Sequence, residues 1–221
     1  MQNNIIIVGD SFCANKDLWP KQVADYLNLN LIHFGKGGCH WWSYKKFIDD
    51  LNENIKDKTE VIVFCHTWTG RLPTNNLKLH SYNTSNLDTK DEYQQAVNLY
   101  FKHIHEQDYA QWAETKWFQE ISHLFKNSKI INLFCFPWTI NNQTSLKGMN
   151  VSPSLAAISL NEINASKFDL FYDNRKNHFS SENNKILGEI LIDLIDSYEE
   201  KNVMMDTSKF NLLTKKWFDW K

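Results

Sequence analysis

Ile5-Ile6-Ile7-Val8 runs straight into Gly9-Asp10-Ser11. Consecutive β-branched residues without polar alternation suit a strand covered on both faces, and the Gly-Asp-Ser that follows is turn chemistry. Beyond it, Leu18, Val23, Tyr26 and Leu27 recur at helical spacing, with Pro20 tolerated in a first helical turn. Leu29 to Phe34 is a second apolar run and ends in the glycines Gly35, Gly37 and Gly38. Phe47, Ile48, Leu51 and Ile55 mark a second amphipathic helix, and Val61 to Cys65 a third strand. Strand, helix, strand, helix, strand predicts a parallel sheet with right-handed crossovers.

The remaining chain extends the same alternation. Residues 70–90 are polar and aperiodic, a long loop. Residues 91–126 carry Tyr, Trp, Phe and Leu at helical spacings and predict one broken helix or two. Lys129 to Phe136 reads as a fourth strand that Pro137 ends. Residues 141–154 read as another polar loop before a short helix, and Phe168 to Tyr172 as a fifth strand. Ser181 to Tyr198 is an apolar-striped helix that Ser180 or Ser181 can cap. The expected organisation is one α/β domain over residues 1–199, with about five strands and a helical insertion at about 72–127. An apolar tail, 200–221, is expected to pack on the domain or on a partner, a second copy or a virion assembly among the candidates.

Composition removes several function classes. Of 221 residues, 42% are hydrophobic and 23% charged, which suits a packed core and argues against disorder. The net charge of -2 argues against a general nucleic-acid binder. Ile5 to Val8 is too short for a signal-peptide core or a membrane span. The sequence therefore reads as cytoplasmic, or as a virion component if phage-encoded, with no membrane partner. Cys13, Cys39, Cys65 and Cys135 each fall at or just past a different strand without C-x-x-C spacing, so they read as reduced, half-buried thiols and not as a metal site. No cofactor motif is present.

In an open parallel sheet, ligands gather where the strands end. The first strand is followed by Asp10 and Ser11, the second by Gly38, Trp41 and Trp42. After the third come Thr67, Trp68, Thr69 and Arg71, after the fourth Trp138, and before the last helix Asp173, Arg175 and His178. A nucleophile, a base, an acid and both arginines of the chain thus fall on one edge. Scarce arginines there suggest anchors for an anionic or hydroxyl-rich substrate, and tryptophans a platform for sugar rings.

Gly9-Asp10-Ser11-Phe12 after a buried first strand, a glycine after the second, and His178-Phe179-Ser180 before the last helix resemble the SGNH/GDSL hydrolases. The resemblance spans Ile5 to about Asp196, leaving the insertion and tail unmatched. It implies a three-layer α/β/α, flavodoxin-like fold and cofactor-free ester hydrolysis through an acyl-enzyme. Ser11 would be the nucleophile and His178 its base, with the Ser11 and Gly38 amides holding the oxyanion. The family's oxyanion asparagine has no counterpart in His66-Thr67-Trp68-Thr69, so the Thr67 or Thr69 hydroxyl, or the Arg71 guanidinium, would substitute. Arg175 occupies the family's acid position, three residues before His178, which leaves Asp173 as the candidate acid. The resulting expectation is a serine esterase acting on a small acyl ester, such as an O-acetyl group on a carbohydrate, with Arg71, Arg175, Trp41, Trp68 and Trp138 binding substrate. The alternative is a protein of this fold that has lost catalysis and serves as a binding or structural component, for instance in a phage virion.

Overall fold

A computed structural model of the chain describes residues 2–68, 71–72, 92–136, 146–166 and 169–214. Six strands form one wholly parallel sheet: β1 (Asn4–Gly9), β2 (Asn30–Gly35), β3 (Thr59–His66), β4 (Lys129–Phe134), β5 (Met149–Ser152) and β6 (Asn202–Met204). Their order is β2-β1-β3-β4-β5-β6. The helices are α1 (Trp19–Tyr26), α2 (Trp41–Asp49), α3 (Glu53–Asp57), α4 (Glu92–His103), α5 (Gln107–Leu124), α6 (Leu155–Ile163) and α7 (Ser181–Asp196).

Alternate residues of each strand feed opposite faces, which produces three layers. Ile5, Ile7, Val61, Val63, Ile131 and Leu133 join one core with α1, α6 and α7. Ile6, Val8, Ile62, Phe64 and Ile130 join a second core with Tyr44 and Ile48 of α2 and Trp117, Phe118 and Ile121 of α5. This is the doubly wound, flavodoxin-like arrangement, whose strand order reverses direction at β1 and β3. Among the described residues no helix is long and apolar enough to cross a membrane.

Three readings of the sequence are corrected. The expected fifth strand at Phe168–Tyr172 is a 3-10 turn over Asp169–Tyr172, with residue 168 outside the described residues. The actual fifth strand, β5, lies inside the segment read as a polar loop. Its Asn150 looks wrong for a buried strand, but neighbouring strands satisfy it: Asn132 Nδ2 donates to Asn150 Oδ1 at 3.0 Å, and Asn150 Nδ2 to Asn202 Oδ1 at 3.1 Å. Likewise, the helix read through Phe47 to Ile55 breaks into α2 and α3, because Asn52 Oδ1 accepts from the Ile55 amide and starts a new helix.

The expected helical segment at 91–126 is two helices, α4 and α5. The described part of the tail packs on this chain. β6 adds to the sheet edge, Met205 and Phe210 are buried in the first core, and the Leu213 amide donates to Asn161 O. Trp217, Phe218 and Trp220, like residues 73–91, lie outside the described residues.

Candidate active site at the carboxyl edge of the sheet

The last full rung of the sheet fixes the site. Gly9 pairs with Gly35 on one side and Cys65 on the other, and Cys65 with Leu133. Two residues beyond this rung along their strands come Gly37, Ser11, Thr67 and Cys135. Gly9 has to be glycine, since a Cβ there would lie 2.3 Å from the Cys65 carbonyl oxygen. Ser11 opens a 3-10 turn to Cys13, capped by Asp10 Oδ1, which accepts from the Phe12 amide. A Cβ on Gly37 would lie 3.6 Å from Ser11 Cβ, so the Gly37 backbone flanks Ser11 directly. Gly38 takes a left-handed φ of 72°, a conformation open to glycine without strain.

His178 reaches the same edge from the far end of the sequence. It ends a 3-10 turn (Lys176–His178) in which Asn177 and His178 both have positive φ. The turn is pinned to the segment after Ser11. Asn177 Oδ1 accepts from the Asn15 amide at 2.7 Å, and its Nδ2 donates to the Asn15 carbonyl at 3.2 Å. From below, Ser159 Oγ donates to the His178 carbonyl, and Asn184 Nδ2 donates to the Lys176 and Phe179 carbonyls. The His178 ring lies 4.7 Å from that of Phe12. Ser11 and His178 line one open cleft of about 750 Å³, together with His33, Asn15, Asp173 and Arg175.

His178 Nδ1 faces Asp173 Oδ2 at 3.5 Å, close enough for charge attraction but short of a formed hydrogen bond. Nε2 is the ring nitrogen turned away from Asp173. Burial lowers the His178 pKa, against the opposing pull of the Asp10 and Asp173 carboxylates, so the imidazole is neutral and basic at neutral pH. Burial by itself would raise the Asp173 pKa, but hydrogen bonds from Arg175 outweigh it and keep the carboxylate ionised below its ordinary range.

The candidate substrate residues divide sharply. Arg175 is fully committed within the protein, donating to Asp173, to Glu162 Oε2 at 2.7 Å and to Ser159 Oγ at 2.9 Å. These bonds brace the acid, while Arg175 also lines the cleft. Trp41 is 7% exposed and stacks on Trp117 at 5.7 Å, so it belongs to the second core and offers no open face to a sugar. Trp68 is half-buried against the first core. Thr67 is fully buried and its Oγ1 has no partner. Arg71 is buried 5.9 Å from the Trp68 ring. Thr69 and Trp138 lie outside the described residues.

Sequence reasoning gave no site role to Gly37 or Asn177 and missed the Ser159–Glu162 brace under Arg175. Gly37 was accessible by counting from the end of the second strand, while Asn177 and the brace carry no sequence signal. All four cysteines are free and buried, with thiol pKa values raised by burial, and among the described residues no group of His, Cys, Asp and Glu could hold a metal ion.

Strand order, layers and a cleft lined by Ser11 and His178 at the point where the order reverses define a doubly wound α/β protein with a candidate active site. No family model matches the chain, and no curated protein matches it. Among solved structures, a protein from Parabacteroides merdae ATCC 43184 described as a GDSL-like lipase aligns with a TM-score of 0.48 at 6% identity, covering 88% of this chain and 96% of that one.

Proposed function

We propose that the protein is a serine ester hydrolase of the SGNH kind that cleaves a small acyl ester through an acyl-enzyme. The observation that carries this reading is the shared cleft of Ser11 and His178, with the imidazole held neutral and its far nitrogen turned to Asp173. Ser11 Oγ attacks the ester carbonyl while His178 Nε2 takes its proton. The tetrahedral intermediate collapses, the carbon–oxygen bond to the alcohol breaks, and His178 returns the proton to that oxygen. Water, deprotonated by His178, then attacks the acyl-serine, and the acid leaves as Ser11 regains its hydrogen. The oxyanion is held by the backbone amides of Ser11 and of the Gly37–Gly38 turn, with the Thr67 hydroxyl in the asparagine's role; donors of this kind contribute about 3 kcal/mol each. The unpartnered Thr67 Oγ1, two residues beyond the same rung as Ser11, supports that assignment.

The test is labelling by a fluorophosphonate probe together with hydrolysis of p-nitrophenyl acetate. Wild type is expected to label and turn over, and Ser11→Ala to do neither while unfolding at an unchanged temperature. A folded wild type inert in both assays would leave the structural alternative in its place.

A further inference from the structure

The two arginines on this edge are in opposite states. Arg175 is saturated by carboxylates and a hydroxyl, whereas Arg71, only 6% exposed, has a buried Nε without a partner. Among the described residues its guanidinium makes no hydrogen bond and no ion pair. Its backbone is fixed by donation to the Trp68 carbonyl at 3.2 Å, and its side chain lies over the Trp68 ring. The nearby carboxylate, Asp10, does not neutralise it by contact: Asp10 Oδ1 accepts from the Phe12 amide and the Cys135 thiol, and Oδ2 has no partner. Asp10, Cys39 and Cys135 all act electrostatically on Arg71. A guanidinium stays charged at any physiological pH, so burying it without acceptors is unfavourable until oxygens arrive.

The side of the reaction on which this group sits follows from His178. The imidazole protonates the departing alcohol, so the alcohol lies in the cleft lined by His178, toward β2 and the Lys176–His178 turn. Thr67 and Arg71 follow β3, on the opposite flank of β1, and neither lines that cleft. The acyl half of an ester bound across Ser11 therefore points toward Arg71. Resting on the serine-esterase reading above, we propose that Arg71 binds a carboxylate at the far end of the acyl group, which makes the substrate a half-ester of a short dicarboxylic acid. The two oxygens of a carboxylate match the guanidinium fork, as a neutral acyl chain does not.

The test separates binding from turnover. Succinate is titrated into Ser11→Ala by calorimetry, and saturable binding is expected that Arg71→Gln, added to Ser11→Ala, weakens about tenfold or more. Arg71→Lys, which keeps the charge without the fork, is expected to fall between, and serves if the glutamine variant does not fold. In parallel, kcat/KM is compared for mono-p-nitrophenyl succinate and p-nitrophenyl butyrate, with Ser11→Ala as the blank for spontaneous cyclisation. The preference for the succinate ester is expected to drop about tenfold or more in Arg71→Gln. Succinate binding that is absent, or indifferent to Arg71, overturns the proposal, as does an ester preference unmoved by the substitution. Binding through Arg71 with neither ester hydrolysed would uphold the carboxylate site and remove the esterase reading instead.

Discussion

His178 owes its proposed role to its surroundings. An exposed histidine titrates near 6.5, but burial lowers this one, while Asp10 and Asp173 pull the other way. Because the neutral imidazole is the working form, the acid limb of kcat/KM is expected to inflect below pH 6.5, with a plateau above it. Asp173→Asn deletes a carboxylate that raises the His178 pKa and leaves Arg175, which lowers it, so the limb should move to still lower pH. A pH–rate profile of both proteins checks the sign. A limb that moves upward in the variant would mean that Asp173 is not electrostatically coupled to the base.

At the scale of elements, the site depends on two short turns meeting. The Ser11–Cys13 turn and the Lys176–His178 turn come from opposite ends of the chain, and the Asn177 amide joins them by two hydrogen bonds to Asn15. Asn177 and His178 hold left-handed backbone, which asparagine tolerates better than most residues. Asn177→Ala removes both bonds and keeps an unfavourable φ. It is expected to lower kcat about 10- to 100-fold and global stability by about 1–3 kcal/mol. Steady-state kinetics beside urea unfolding measure both, and an unchanged kcat would show that the pin does not position His178.

Across the whole molecule, the cover helices bury a charge-capable group that the site does not use. Glu114 of α5 is 3% exposed, its Oε1 has no partner, and burial raises its pKa well above the ordinary carboxylate value of 4.5. The folded protein therefore holds a proton there that the unfolded chain releases, and stability falls as pH rises above 4.5 toward the folded pKa. Glu114→Gln removes that dependence. It is expected to stabilise the fold by roughly 1–3 kcal/mol at pH 8, with the gain shrinking toward pH 5. Urea midpoints at the two pH values decide this, and an equal gain at both would show that Glu114 does not titrate across the range.

The layered architecture was legible because β1, β3 and β4 are β-branched or apolar runs that no exposed element would carry, and because Gly-Asp-Ser marks where the first of them stops. The positions of Ser11 and His178 on one cleft were legible for the same reason: each occupies a fixed place relative to a strongly patterned strand or helix. β5 and β6 were not, since their asparagines are satisfied by partners far away in sequence, and local composition cannot reveal a cross-strand amide ladder. The fates of Arg71 and Arg175 were equally hidden. The sequence by itself determined the alternation of strands and helices, and thereby which residues end on the carboxyl edge. Only the tertiary structure decided which of them are free to act, because hydrogen-bond acceptors and burial are supplied by other elements. Glu162, Ser159 and Asp173 accept hydrogen bonds from Arg175, while among the described residues Arg71 Nε has no acceptor.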